Sequence, residues 1–320
     1  MKNILVIRFS SIGDIVLCSP VVRHLKQRGH KVTMITKVGF KGLWKNNPYV
    51  DELILADDIS KDILNELKSK SFNIIIDLHN NSRSNRIKQY LSVKTYTLKK
   101  SNVNKALLVW FKSKVFSSPH IVDRYLETID PLIDRKDSLG LDFFEDLPTD
   151  KISNIVNQKY AVYVIGGQHK GKMMSLKGMI ELCKDVKYPL YLLGGPDDKI
   201  VGEEVERLGS DKIINLAGKL SLMDSVNLIK QSTFVISHDT GLMHIASAYK
   251  KNIISLWGAT TPELGFAPYK PGKSSVVLEA KHWLRPTSKL GKQRFSKHLN
   301  FIDRIPKSKI LKEMDRLWVL

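Results

Sequence analysis

Short apolar runs that pass straight into a polar, glycine-bearing turn and then into a helical pattern recur along this chain. That recurrence restricts the fold more than any other feature. Lys2 to Arg8 is such a run, followed by Phe9-Ser10-Ser11-Ile12-Gly13-Asp14 and a helical stretch ending near Gly29. Further strands are expected at Val32 to Thr36, Glu52 to Leu55 and Phe72 to Asp77, with helical patterns between them, such as Ser60 to Lys70. Apolar strands alternating with helices belong to a parallel sheet covered on both faces. The region 94–148 is less periodic, with a helix expected from Asp123 to Ile133 and a turn-rich stretch near Asp137 to Asp150. The pattern then restarts, with strands expected at Tyr160 to Ile165, Leu190 to Leu193, Ile213 to Leu216, Phe234 to Ser237 and Ile253 to Trp257, and another at Val276 to Leu278.

Two consecutive βα domains result, 1–150 and 151–305. A closing amphipathic helix at 306–320 carries Ile310, Leu311, Met314, Leu317 and Trp318 at helical spacing. A cleft between two such domains is a preferred ligand site, because strand C-termini of both sheets face it. With 320 residues, 42% hydrophobic and 26% charged, the chain is long and apolar enough for two cores. The same balance excludes a disordered, collagen-like or disulfide-stapled chain. No apolar run reaches the roughly 18 residues that span a bilayer. The opening segment, interrupted by Arg8 and lacking a small-residue cleavage site, reads as a strand and not as a signal peptide. Cys18 and Cys183 lie outside any CxxC spacing, so neither a zinc site nor a disulfide framework is expected. The cytosol is the expected compartment.

The net charge of +19 is localised. Leu78 to Val122 holds nine bases and no acid, and Phe266 to Lys312 holds twelve bases against Glu279 and Asp303. Such a field attracts nucleic acid, an anionic membrane surface or an acidic substrate, unless it is merely a solvated lysine-rich surface. Neither stretch carries a nucleic-acid-binding signature or an aromatic platform, so no nucleic-acid partner is expected. An acidic acceptor held near a membrane fits better.

Two segments carry chemistry. In Ser10-Ser11-Ile12-Gly13-Asp14, Gly13 permits close backbone approach to a ligand, and amides at the helix start favour anions. Asp14 is either a general base facing a cleft or a helix-terminal carboxylate stabilised by the dipole. The segment is neither a P-loop nor GxGxxG, which argues against an NAD-dependent dehydrogenase. In Ser237-His238-Asp239-Thr240-Gly241-Leu242-Met243-His244, a strand runs directly into a helix. The amides of Thr240, Gly241 and Leu242 there suit a diphosphate, and His244 lies one turn down the same face. Asp239 is placed to hold sugar hydroxyls beside it, or to cap the helix. Lys172, with Lys170 as competitor, follows the first strand of the second domain and can neutralise a leaving diphosphate. Asp57-Asp58 and Asp197-Asp198 are loop doublets without a readable second shell, and the nine histidines show no ligand spacing. No metal and no bound cofactor is expected.

Taken together, these residues resemble glycosyltransferase family 9, the heptosyltransferases of lipopolysaccharide core assembly. Ile4 to Asp14, continuing to Pro20, is similar to that family's opening segment. Phe234 to Ala246, followed by Leu256-Trp257-Gly258-Ala259-Thr260-Thr261-Pro262, is similar to its donor-site segment, with Gly194-Gly195-Pro196 and Asn215 to Leu222 between them in order. The resemblance covers essentially the whole chain. It implies a GT-B fold, that is, two Rossmann-like domains with parallel sheets facing an interdomain cleft, and the nucleotide sugar held mainly by the C-terminal one. It also implies inverting, metal-independent transfer of a sugar, heptose from ADP-heptose, onto an acidic lipopolysaccharide-core glycolipid.

By the same resemblance Asp14 is the base, Asp239 contacts the donor sugar, Thr240 and Gly241 cradle the diphosphate, and Lys172 meets the phosphates. His244, Ser11 and Gly13 join the donor site. Asn215 stands where family members can carry an acidic residue for the donor ribose, and Met173-Met174-Ser175 replaces the usual aromatic-proline ending after the phosphate lysine. Arg83, Arg86, Arg124, His79 and Ser10 are the candidates for the acceptor, the arginines pairing with its carboxylates or phosphates. A monomer at the inner face of the cytoplasmic membrane is expected. The alternatives are a family member using another nucleotide sugar and a non-catalytic nucleotide- or glycan-binding homologue.

Overall fold

The computed structural model describes residues 1–133, 139–146, 152, 158–292 and 300–320. The chain divides into two compact units. Met1–Lys100 and Ile121–Asp146 form the first, and Ser101–His120 and Leu147–Leu320 the second. Residues 101–120, grouped with 1–150 in the sequence reading, therefore count with the second unit.

In the first unit, β1 (Asn3–Ile7), β2 (Lys31–Thr36), β3 (Glu52–Leu55), β4 (Ile74–Asp77) and β5 (Lys94–Thr97) form one sheet in the order β3-β2-β1-β4-β5. Every pairing is parallel, with Ile7 opposite both Ile35 and Asp77. Ile4, Leu5, Val6 and Ile7 are all fully buried, as a central strand covered on both faces requires. Each such side chain contributes on the order of 1.5–3 kcal/mol. Helices α1 (Ile12–Leu17), α2 (Ser19–Gln27), α3 (Lys61–Ser69) and α4 (Ser82–Leu91) join the strands. One face of the sheet packs Leu5, Ile7, Ile35 and Ile75 against Leu64, Leu67 and Ile87 of α3 and α4. Asn81 caps α4 by accepting the Ser84 amide at 3.0 Å.

The chain continues through α5 (Asn102–Phe111), part of the second unit, to α6 (Ile121–Glu127) in the first. The single helix expected over 123–133 is thus displaced. It stops at Glu127, and a 3-10 turn covers Asp130–Leu132. Pro131 explains the break, since it has no amide to donate to the Glu127 carbonyl and its ring would clash with that carbonyl in a continuing helix.

The second unit holds six parallel strands: β6 (Ala161–Val164), β7 (Leu190–Leu193), β8 (Ile213–Asn215), β9 (Phe234–His238), β10 (Asn252–Trp257) and β11 (Val276–Glu279). Their order is β11-β10-β9-β6-β7-β8. Helices α7 (Leu176–Cys183), α8 (Lys199–Leu208), α9 (Leu222–Gln231) and α10 (Gly241–Ala248) connect them, and α11 (Lys307–Val319) closes the chain. Strand residues alternate between two cores: Tyr163, Leu192 and Ile236 face one, Val162, Tyr191 and Val235 the other. Ile310, Met314 and Leu317 of α11 join the first of these cores.

Both sheets are doubly wound. Counted from its own first strand, each runs 3-2-1-4-5, and the second adds a sixth. The order reverses between β1 and β4 in the first unit and between β6 and β9 in the second. At such a reversal the connections diverge to opposite faces, leaving a crevice outside the strand C-termini.

Candidate functional site

In the first unit, the turns after β1 and β4 flank the reversal. Arg8 continues β1, and its buried guanidinium is divided among three acceptors. Nε donates to the Ser10 carbonyl at 2.7 Å, one terminal nitrogen donates to the Leu78 carbonyl at 2.6 Å, and the other lies 2.8 Å from Asp14 Oδ2. Asp14, in the first turn of α1, also accepts from the Ser11 hydroxyl at 2.9 Å. Its carboxylate is thereby oriented by a charge-assisted bond and remains partly exposed. Gly13 is buried beneath it, while Ser11 is exposed.

Past β4, the buried Asp77 carboxylate accepts the amides of His79 and Asn80 at 3.0 and 2.7 Å and pairs with Lys88 at 2.8 Å, which shapes the turn into α4. His79 packs edge-on to Phe9, ring centroids 5.3 Å apart, and Arg83 covers the same Phe9 ring at 5.0 Å. Burial, reinforced by the positive charges of Arg8 and Arg83, pulls the His79 pKa down to about 4, so its imidazole is neutral at pH 7. Arg86 is exposed one turn further along α4. Arg124 is different: it is buried, and its guanidinium donates to the Lys99 carbonyl.

In the second unit, the turns after β6 and β9 flank the other reversal. Lys172 ends a 3-10 turn, Lys170–Lys172, and its ammonium lies 2.6 Å from Asp239 Oδ2. Thr260, beyond β10, donates its hydroxyl to the same oxygen at 3.1 Å. Lys170 is exposed and Lys172 only partly so, which distinguishes the two lysines. Thr240 is the N-cap residue of α10, yet its hydroxyl makes no capping bond and lies 3.2 Å from Ser237 Oγ. The first-turn amides of Gly241 and Leu242 are therefore not covered by that side chain.

His244 is buried within α10. Asn215 is buried too, at the end of β8, two strands out from β6 and so about 10 Å from it across the sheet. Its Oδ1 accepts the Ala217 amide at 3.0 Å, and its Nδ2 faces the Lys199 carbonyl at 3.4 Å. The structure thus gathers Lys172, Asp239, Thr240, Gly241 and Leu242 at the reversal and leaves Asn215 outside that group. The Asp198 carboxylate closes the Gly194-Gly195 turn, accepting the Gly195 amide at 2.8 Å.

Three supporting residues had no sequence signal beyond their type. Arg8 registered only as an interruption of an apolar run. His238 is fully buried under Asp239, and its Nε2 accepts the Met174 amide at 3.2 Å with the Tyr163 hydroxyl 3.3 Å away. Burial pushes the His238 pKa down to about 3. Arg285, also buried, donates to the carbonyls of Gly258 and Ala280, and to that of Thr260 at 2.8 Å. It fixes the segment from which Thr260 reaches Asp239.

The model of glycosyltransferase family 9 (heptosyltransferase) matches residues 61–293. Lipopolysaccharide heptosyltransferase 1 of Campylobacter coli is 24% identical over 288 residues, 81% of this chain and 84% of that protein. Lipooligosaccharide heptosyltransferase 2 of Haemophilus influenzae is 36% identical over 94 residues, so the match spans only 27% of that protein and 28% of this chain. Among solved structures, the glycosyl transferase family 9 protein from Veillonella parvula superimposes with a TM-score of 0.81 at 19% identity, over 99% of this chain and 97% of that one. The E. coli ADP-heptose lps heptosyltransferase II gives 0.74 at 19% identity, over 100% and 99%. These structures share the two-sheet α/β fold.

Proposed function

Because this chain belongs to glycosyltransferase family 9, the heptosyltransferase family, we propose that it transfers heptose from ADP-heptose to an acidic lipopolysaccharide-core acceptor. In this reading the first unit serves the acceptor and the second the donor. The observation that carries it is positional: each sheet puts its candidate residues at its own strand-order reversal, a carboxylate in one case and a lysine beside a helix N-terminus in the other.

Asp14 accepts the proton of an acceptor hydroxyl as that oxygen bonds to the anomeric carbon. The bond from the same carbon to the diphosphate oxygen breaks, and attack opposite the leaving group inverts the configuration. Lys172 and the amides at the start of α10 stabilise the charge that gathers on the departing diphosphate. In this scheme fixed protein charge supplies what a metal ion supplies elsewhere. Asp239, released from Lys172 as phosphate arrives, turns to the sugar hydroxyls. Arg83 and Arg86 are assigned to the acceptor's anionic groups, and Arg124, committed to the Lys99 carbonyl, is assigned to holding the scaffold.

Transfer is tested with the full chain, ADP-heptose and a lipid A–core acceptor, following ADP release and the extended glycan. The Asp14→Asn variant should lose about 10²–10⁴ in turnover while ADP affinity by calorimetry stays level. Undiminished turnover in that variant removes Asp14 as the base. ADP binding without any transfer favours the non-catalytic homologue, and preference for another nucleoside diphosphate redirects the donor assignment. In this reading the acceptor is lipid-anchored, the reaction runs at the cytoplasmic face of the inner membrane, and a single copy of the chain suffices for it. Among the described residues no helix is long and apolar enough to cross a membrane.

A further inference from the structure

The second unit buries most of its large apolar side chains, but the region around α5 does the opposite. Trp110 is 77% exposed, Phe111 63% and Val115, in the turn that follows, 86%. Val103, Leu107, Trp110 and Phe111 fall at spacings of four, three and one, which puts them on one face of α5, while Leu108 and Val109 are buried. A second segment lies alongside. Lys112 Nζ donates to the Pro286 carbonyl at 2.5 Å and Lys289 Nζ to the Asn102 carbonyl at 2.9 Å, tying the 283–290 loop to both ends of the helix. That loop presents Trp283, 78% exposed, and exposed Leu290.

The two segments themselves carry charge of one sign. Residues 101–120 contain three lysines and no acid, and residues 280–292 contain Lys281, Arg285, Lys289 and Lys292 and no acid. The adjoining carboxylates are already committed, Glu263 to Lys114 at 2.6 Å and Glu279 to Arg285 at 3.2 Å. Exposed apolar side chains set among lysines on two segments tied to one another mark an interaction surface. Indole and phenyl rings favour the head-group level of a bilayer, and ammonium groups favour anionic head groups. A single-stranded nucleic acid would use the rings for stacking but has no use for Val103, Leu107, Val115 and Leu290, which suit acyl chains.

We infer that the outer face of α5, the turn after it and the 283–290 loop form a docking surface for an anionic phospholipid bilayer. The inference deepens the reading of a membrane-borne acceptor, and its evidence is separate from the transfer site. Docking would hold the acceptor-bearing surface and the enzyme together and confine the search for substrate to two dimensions.

The full chain is to be tested by co-sedimentation with vesicles of phosphatidylglycerol and phosphatidylethanolamine, and with vesicles of phosphatidylcholine alone. Binding should be confined to the anionic vesicles and weaken with salt. Tryptophan emission should shift to the blue and be quenched by brominated lipid, since Trp44 and Trp257 are buried and Trp318 is half-buried in a stack on Tyr188, while Trp110 and Trp283 are exposed. The triple variant Trp110→Ser, Phe111→Ser, Trp283→Ser should melt at the wild-type temperature and bind vesicles about tenfold less well or worse. Absent wild-type binding, equal binding by the variant, or capture of single-stranded DNA in preference to vesicles each overturns the surface. Transfer to a deacylated, water-soluble acceptor is measured in parallel. Transfer without vesicle binding sinks the docking surface alone, and vesicle binding without transfer sinks the proposed reaction alone.

Discussion

The Lys172 ammonium lies 2.6 Å from Asp239 Oδ2, and the two residues come from turns on the two sides of a strand-order reversal. Each side chain is mostly buried yet retains an exposed fraction, so the pair is desolvated enough to matter and open enough to be displaced. An incoming diphosphate offers the lysine more negative charge than one carboxylate does. The pair therefore keeps the lysine aimed before the donor arrives. Replacing Lys172 with Met should lower kcat by about 10²–10³ through lost leaving-group stabilisation and also weaken ADP binding. Lys170→Met, at an exposed position, should stay within about threefold of wild type. Steady-state kinetics and calorimetry on both variants check this, and equal losses would mean the phosphate lysine has been misassigned.

The aim of Lys172 depends on the glycine before it. A Cβ at Gly171 would lie 2.4 Å from the Gly291 carbonyl oxygen and 3.0 Å from Ala259 Cβ, neither of which is the tip of a flexible side chain. The Gly171 carbonyl also accepts the Ala259 amide at 3.0 Å. Gly171→Ala should therefore push the 3-10 turn away from residues 258–260. The expected cost is about 1–3 kcal/mol of stability by overpacking, with weaker ADP binding, read from urea melts and calorimetry. A variant as stable as wild type would show that the turn yields without strain.

Much of this was legible because fully buried parallel strands read as uninterrupted apolar runs, as in Ile4-Leu5-Val6-Ile7 and Phe234-Val235-Ile236. The polar residues that end such runs stand at strand C-termini, where α/β sheets put their ligands, so Asp14 and Asp239 could be picked out. The supporting residues were not legible, because their partners are distant in sequence. Arg8 meets the Leu78 carbonyl seventy positions on, and Arg285 meets that of Thr260. The strand Lys94–Thr97 escaped notice since an edge strand packed on one side needs no apolar run, and its residues are at most half-buried. Helix α5 escaped for another reason: Ala106 to Phe111 is apolar all round, so it carries no amphipathic period. Asn215 stands apart in another way. Its place in the order of motifs suggested a ribose contact, whereas its side chain is occupied by backbone groups.

Arg8 joins the Ser10 carbonyl, the Leu78 carbonyl and Asp14 through one planar guanidinium. A lysine gathers its donors on one nitrogen and cannot reproduce the planar spread by which three separate nitrogens reach these three acceptors. Arg8→Met strands the Asp14 carboxylate in a partly buried site and should cost about 3–5 kcal/mol, measured by urea unfolding. Arg8→Lys, which keeps the charge, should lower kcat well below wild type while leaving the donor KM nearly unchanged, as expected of a residue that positions Asp14. A donor KM that rises in step with the fall in kcat would argue against that role.

His238 gives the protein an acid-labile element. Its pKa is pulled down to about 3 by burial, while in the unfolded chain it returns to the ordinary 6.5. Above pH 6.5 both states are neutral at this position and it adds no pH dependence. Below that, the unfolded chain takes up a proton that the folded one refuses, so stability falls as the pH falls, and the loss continues towards pH 3. The slope is about 1.4 kcal/mol per pH unit for one proton, which makes about 2 kcal/mol between pH 6.5 and 5. In His238→Gln the side-chain oxygen can still accept the Met174 amide, but nothing titrates there. Urea melts at several pH values between 5 and 8 should show the variant losing less stability on acidification than wild type by that amount, whatever its absolute stability at neutral pH. Parallel pH profiles for the two proteins would mean that His238 gains a proton in the folded state without cost.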